Sequence, residues 1–388
     1  MRCGLCVKSC PTYLLSQSEP ESPRSRVQSL RKVLSEQQAL TGAEQQHLAN
    51  CLQCRACETV CPSQMAYAAA FDQAQSQLAP GQTNWSSRMG FVLIGHKHWR
   101  QTLLPLLTLY LRSGLQQPIR ASGLLKKLGL AEAEALLQSP SLSPLHRLYP
   151  IKKSRLRGRV ALFTGCLAEH FDRPVQLAAI KLLNALGYEV VIPHDQVCCG
   201  AIHQHHGRNP QALLAKNAEV FYNLEVTAVL YSASGCGAML SEQLAPDTET
   251  SGWLLRHLYD INDFLLQHWP DQLRLAASNL TVAVHEPCSQ RHVLKNQHNL
   301  YLLLGKIPHL ELTAVSENTI CCGAGGSYML SHPETADKLR RRKQQQLSNS
   351  GADLIVSSNF ACRYYLNASQ TDSSLKVLHP LQLLADRL

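Results

Sequence analysis

A chain of 388 residues with fifteen cysteines and a formal charge of +9 has room for two or three domains with cores of their own, so metal sites need not be its only source of stability. The cysteines are odd in number and grouped in motifs, and residues 1–11 are already polar and cysteine-bearing. Both features argue against a secreted disulfide framework or a signal peptide and point to reducing cytoplasm. The positive charge is local: residues 73–159 hold thirteen Lys or Arg against Glu132 and Glu134, while the rest of the chain has 24 basic and 26 acidic residues. The total is therefore a poor argument for a nucleic-acid partner.

Taken in order, the chain opens with RCGLCVKSCP, which carries Cys3, Cys6, Cys10 and Pro11. Residues 12–50 read as two polar helices joined by a Thr-Gly turn, with Leu30, Val33 and Leu34 as an apolar stripe on the first. Arg24, Arg26, Arg31 and Lys32 on it either complement anionic clusters or form a solvated face. CLQCRACETVCP then places Cys51, Cys54, Cys57 and Cys61 in a C-x2-C-x2-C-x3-C-P run. In that bacterial ferredoxin spacing three thiolates hold one iron-sulfur cluster and the fourth serves a second. Zinc ribbons, the alternative, pair two C-x2-C units instead. With the fourth ligands crossed, Cys10, Cys51, Cys54 and Cys57 form a complete set for a cubane cluster. Cys3, Cys6 and Cys61 are one ligand short. The spacing puts the missing cysteine immediately before Met1, so the expectation is an upstream extension beginning with cysteine, or else a three-iron or labile cluster.

Residues 63–88 read as an Ala- and Gln-rich helix broken at Pro80-Gly81. From Gln73 to Leu130 there is no acid, and Leu103, Leu104, Leu106, Leu107, Leu109 and Leu111 form a dense run interrupted by Pro105. The run is too short to span a bilayer, which takes about 20 residues. With Lys97, Arg100, Arg112, Arg120, Lys126 and Lys127 around it, it reads as a surface for anionic lipid or a partner subunit, or as a core helix with a basic wet side. Residues 138–159 read as a linker.

Strands and helices alternate from Val160 onward, which implies βαβ units and a parallel sheet. RVALFTG leads to Cys166, YEVVIP to Cys198-Cys199-Gly200, and AVLYSAS to Cys236. TVAVHEP, a helix with a short strand, and DLIVSS then lead to Cys288, Cys321-Cys322-Gly323 and Cys362, at offsets of 122, 123 and 126 residues. Near-constant offsets mark an internal duplication. LKVLHPLQLLADRL adds a strand and a closing helix. The expected architecture is an α+β or α/β chain: a helical two-cluster ferredoxin-like domain (1–80), a basic amphipathic connecting segment (81–159), and two duplicated α/β cysteine-rich domains (160–270 and 271–388).

Each repeat thus offers four thiols, a soft donor set that selects zinc or iron-sulfur clusters. Adjacent cysteines suit two irons of one cluster better than one tetrahedral ion, and buried free thiols would have to recur in the same four-point pattern twice. His203, His205, His206 and His285 lie beside these cysteines and are either proton carriers or hydrogen-bonded loop histidines. No G-x-G-x-x-G fingerprint follows a strand, and GAGGSY at 323–328 reads as a tight turn.

The stretches CGLCVKSCPTY, CLQCRACETVCPS, FTGCL, CCGAIHQHHG, SASGCGAML, CCGAGGSYMLSHPE and VLHPLQLLADRL together resemble the iron-sulfur subunit of bacterial glycolate oxidase, within the cysteine-rich group that includes heterodisulfide reductase subunits. Those reductase relatives end their repeats in C-x2-C, where this chain has the single Cys236 and Cys362. The resemblance implies an electron relay with [4Fe-4S] clusters in the ferredoxin part, further iron-sulfur clusters in the repeats and no flavin on this chain. Its partners would be flavin subunits that oxidise glycolate to glyoxylate, with quinone as acceptor. The expected location is cytoplasmic, peripherally on the membrane, and no nucleic acid is expected. The nearest competitor is the anchor subunit of anaerobic glycerol-3-phosphate dehydrogenase.

Overall fold

The computed structural model describes residues 3–78, 85–142, 144–153, 156–368 and 376–388. The break expected at Pro80-Gly81 lies outside them. The N-terminal part is helical. Ser22 caps the helix Pro23–Leu34, with Pro23 at its first position, where a missing N–H costs nothing. Thr41 and Glu44 form a reciprocal capping box on the helix Gly42–Ala49, satisfying two otherwise orphaned donors. Leu30, Val33, Leu48, Tyr67 and Phe71 close a small core between these helices and the helix Tyr67–Leu78.

The leucine run lies on the helix Lys97–Arg112, which contains Pro105. The linker contributes more than expected. Its Leu148–Tyr149 forms strand β1, which pairs antiparallel with β3 at the edge of the first sheet.

Two sheets follow, parallel throughout except for β1. The first comprises β1, β2 (Gly158–Phe163), β3 (Tyr188–Val191), β4 (Ala228–Tyr231) and β5 (Leu258–Asp260), in the order β1-β3-β2-β4-β5. The second comprises β6 (Thr281–Val284), β7 (Glu311–Ala314), β8 (Leu354–Val356) and β9 (Val377–Leu378), in the order β7-β6-β8-β9. Setting β1 aside, the two orders are the same, as the duplication requires. Val160, Leu162 and Val282, Val284 on the central strands are fully buried, the uniform apolar run of strands covered on both faces.

Helix Arg173–Ala185, stopped by Gly187 at φ +92°, packs against the closing helix Pro380–Asp386, and Lys181 Nζ donates to Ala385 O at 2.6 Å. Leu182, Leu183, Leu300, Leu304, Leu381 and Leu384 therefore belong to one core shared by both repeats. In each sheet the crossovers leave the central strand on opposite sides, and the crevice beyond its carboxyl end is where open α/β sheets place their sites.

Candidate metal centres

The loops at those carboxyl ends are built alike. After β2, Thr164 N donates to Gln196 Oε1 (2.8 Å), whose Nε2 donates to Leu162 O (3.3 Å). After β6, Glu286 N donates to Asn318 Oδ1 (3.1 Å), whose Nδ2 donates to Val284 O (2.9 Å). Each clamp fixes the loop of the first cysteine against the loop of the adjacent pair. Gly200 and Gly323 follow those pairs at φ +90° and +91°, a conformation that excludes most side chains.

The thiols of each repeat meet in the same sequence. Cys166 contacts Cys198, Cys198 contacts Cys199, and Cys199 contacts Cys236. Cys288 contacts Cys321, Cys321 contacts Cys322, and Cys322 contacts Cys362. Contact with Cys198, then burial, raises the Cys166 thiol well above its ordinary range. Cys198 is drawn down by Cys166 but pushed up by Cys199 and burial, and ends at about 12. In the second repeat, hydrogen bonds from Cys288 and Cys322 hold Cys321 well below the usual thiol range.

The two sets face each other. Ser234 Oγ lies 2.8 Å from Ser289 Oγ. Asn359 accepts from Gly235 N at 3.1 Å and donates to Cys362 Sγ at 3.3 Å. All eight thiols, with Cys54, line one cavity of about 630 Å³. Cys54, Cys236 and Cys288 keep some accessible surface, and it opens onto this space.

In the N-terminal part, burial first, then Cys3, Cys61 and Cys10, raise Cys6. Burial, then Cys51, Cys10 and Cys6, raise Cys57. The structure thus gathers Cys3, Cys6 and Cys61 on one side and Cys10, Cys51 and Cys57 on the other. Cys54 lies between this second group and the repeats: after burial, the largest influence on it is Cys321 of the second repeat, with Cys57 and Cys10 next among the thiols. Of the four basic residues on the first helix, only Arg26 is buried at a thiol. It lies 3.5 Å from Cys10 Sγ and pairs with Glu21. Arg24 pairs with Glu19, Lys32 with Glu44, and Arg31 is largely exposed. Tyr67 donates to Cys51 Sγ at 3.5 Å.

Burial lowers all four histidines, His205 to about 4 and His285 to about 3. His206 sits 2.6 Å from Ser327 Oγ and His285 2.9 Å from Ser357 Oγ, which favours hydrogen-bonded loop histidines over groups that titrate near neutral pH.

Two charged residues escaped the sequence reading. Arg100 of the leucine helix is buried, lines the cavity and acts on the Cys166 thiol. Lys343 is 2% exposed, donates to Glu317 O at 2.8 Å and lies among Cys321, Cys322 and Cys362. Lys343 stands 126 residues after the buried Asn217, the separation of Cys236 and Cys362, so duplication arithmetic had the means to find it.

The donor chemistry fits iron-sulfur clusters. The donors are sulfur in sets of three and four, and burial with close neighbours makes each set costly to hold as bare thiolates, a cost that bound iron removes. All fifteen cysteines are free. Among the described residues, no three Cys, His, Asp or Glu converge as a single ion would need.

Duplicated parallel sheets carrying facing thiol sets, joined to a dicluster-type N-terminal part, define an iron-sulfur protein of electron transfer. Residues 1–65 match the family model for a 4Fe-4S dicluster domain, and residues 160–241 and 282–367 match that for a cysteine-rich domain. The chain is 33% identical over 384 residues to the probable glycolate oxidase iron-sulfur subunit of Bacillus subtilis, covering 93% of this chain and 86% of the relative. It is 28% identical to the glycolate oxidase iron-sulfur subunit of Escherichia coli, covering 94% and 88%. It is 30% identical over 256 residues to an uncharacterized iron-sulfur protein of Methanocaldococcus jannaschii, covering 63% and 50%. The chain belongs to the family of glycolate oxidase iron-sulfur subunits.

Proposed function

We propose that this chain carries electrons from flavin-bearing partner subunits that oxidise glycolate to glyoxylate toward membrane quinone. The observation that carries this reading is the convergence of Cys54 and both four-thiol sets on one cavity. Cys10, Cys51, Cys54 and Cys57 would hold one cluster. Cys3, Cys6 and Cys61 would hold a second, and the two repeat sets further ones. Iron-sulfur clusters, when bound, supply one-electron storage at each set. The protein's own part is to fix the thiols, exclude water and set the local charge through Arg26, Arg100 and Lys343. The placement of Cys54 beside Cys321 supports entry into the repeats through the second one.

Membrane association belongs to the same reading. The helix Lys97–Arg112 turns Trp99, Leu106 and Leu109 outward at 52, 60 and 66% exposure. Arg112, Lys126 and Lys127 around it are exposed, which suits an anionic surface. Lys97 and Arg120 are paired with Glu169 and Glu134, and Arg100 is buried, so the lipid-facing charge is smaller than the sequence suggested. Among the described residues no helix is long and apolar enough to cross a membrane.

Co-purification with flavin subunits, followed by assays with glycolate and with glycerol-3-phosphate, tests the relay. Reduction by glycolate alone is expected, whereas reduction by glycerol-3-phosphate alone would select the dehydrogenase anchor. A colourless zinc protein with salt-dependent DNA affinity would overturn both.

A further inference from the structure

The cavity's lining extends beyond its thiols. Beyond them it runs along Leu93 and Ile94, then Leu103, Leu104 and Leu107 of the helix Lys97–Arg112, and ends against Phe171 and Tyr364. This extension bears none of the thiols. The whole cavity, its thiol-lined part included, measures about 630 Å³, and small-molecule sites are mostly apolar with a few placed polar groups.

Two polar groups are placed there. Arg100 is 6% and His170 8% exposed, and both line the cavity. Arg100 uses its terminal nitrogen on the carbonyls of Leu93 and Ile94, which leaves Nε without a hydrogen-bond partner. His170 Nε2 likewise has none, its nearest carboxylate oxygen on Glu169 being 3.8 Å away. A buried nitrogen without a partner is destabilising, so two of them at one apolar wall call for an acceptor.

The helix that forms this wall is apolar on two faces. Residues 100, 103, 104 and 107 turn inward, at the i, i+3, i+4, i+7 spacing of one face. Trp99, Leu106 and Leu109 turn outward and are exposed. A helix of that kind connects an interior cavity with a lipid surface.

We propose that the leucine-walled part of this cavity binds a lipid quinone. Its flat ring lies toward the thiols, one carbonyl oxygen accepts from Arg100 Nε or His170, and its tail lies along Leu103, Leu104 and Leu107. The proposal rests on the relay reading and gives that relay its terminus: the two electrons released when glycolate becomes glyoxylate arrive one at a time and, with two protons from solvent, convert the quinone to its hydroquinone.

The test uses the full chain with its clusters and an azide-bearing benzoquinone with a saturated ten-carbon tail as photolabel. Saturable labelling of the helix Lys97–Arg112 or of the Phe171 and Tyr364 peptides is expected, displaced by the unlabelled quinone. Leu104→Trp, which fills the cavity, should weaken labelling about tenfold while iron content and circular dichroism stay as in the parent. Arg100→Lys should retain more labelling than Arg100→Met. Leu106→Ser, on the outer face, should leave labelling in detergent unchanged but reduce it when the quinone is supplied in anionic vesicles. Labelling of Leu106→Ser that is unchanged in both media would favour uptake from solution and overturn the lipid route. Labelling that is scattered, or unaffected by Leu104→Trp, would overturn the site. The relay fails separately, if glycolate and flavin subunits leave the clusters oxidised when no quinone is present.

Discussion

The two repeats share strand order, clamp and thiol sequence, yet their thiol sets sit in different electrical surroundings. The second repeat supplies its own buried cation, Lys343, and brings Cys321 below the usual thiol range. The first has the neutral Asn217 at the matching helix position, where it accepts from Val197 N and donates to Cys198 O. Its cation, Arg100, comes from the connecting segment. The second repeat also faces the N-terminal cysteines, with Leu52 in its core and Tyr328 donating to Asn50 O at 3.2 Å. Duplication therefore preserved the ligand frame and left the charge around it free to diverge, so that two sets of the same donors can work at different potentials.

The largest expected effect comes from separating the repeats. Arg363, on the helix Phe360–Asn367, donates to Asp172 at the start of the first repeat's helix, and both are buried. Removing one partner strands the other charge, so Arg363→Leu should lower unfolding free energy by about 3–5 kcal/mol, read in a denaturant titration. Next come the paired glycines. A Cβ on Gly323 would meet Ala336 O at 2.6 Å and one on Gly200 would meet Pro210 Cβ at 2.7 Å. Both alanine variants also carry about 1–2 kcal/mol of left-handed strain. Gly323→Ala should cost more, because its obstacle is backbone, and should release iron from the second set first. Lys343→Asn gives the second repeat the first one's residue. The midpoint potential of the second set should fall by roughly 30–100 mV, the scale of one charge in a partly polar interior, with the first set unmoved in a spectroelectrochemical titration.

The pH-dependent effects concern the helix caps, where the repeats again differ. Asp260 caps the helix Ile261–His268 and His379 caps the helix Pro380–Asp386. Burial, helped by Asp263, raises Asp260 to about 7. The unfolded chain loses this proton from about pH 4 upward, so the group lowers stability progressively from there to about pH 7. Burial holds His379 well below its ordinary value, so its effect runs the other way: stability falls as pH drops below about 6.5, where only the unfolded chain takes up the proton. Relative to the parent, Asp260→Asn should gain stability with rising pH across the first window. His379→Asn should gain with falling pH in the second. Thermal melts from pH 4.5 to 8 check both.

Much of this was legible in the chain because it is local. The cysteine spacings and the apolar strands report on neighbours in sequence, and the 122 to 126 residue offsets show the same local pattern twice, whereas the strand order came only with the structure. The unread features depend on distant pairs. Nothing in CLQCRACETVCP indicates that Cys54 faces Cys321, and no helical pattern reveals that Arg100 points at Cys166 while Arg112 on the same helix meets solvent. Leu148–Tyr149 escaped because a two-residue edge strand has no periodicity of its own and exists through its partner, Val190–Val191. The histidines were read by type, whereas burial, which the sequence does not print, decided their charge.

The shared core also constrains how the chain can be made. Helix Pro380–Asp386 covers Leu182 and Leu183 of the first repeat, about two hundred residues before it in order of synthesis. As the ribosome delivers the chain, the first sheet forms with one flank of its core bare, and that flank stays open until nearly all of the second repeat has emerged. Exposed apolar surface on a partly made domain invites wrong partners. The helix Pro380–Asp386 thus closes the first repeat's core only after the second repeat has been made. Chains cut short inside the second repeat should remain sticky and be removed, instead of accumulating as half-active carriers.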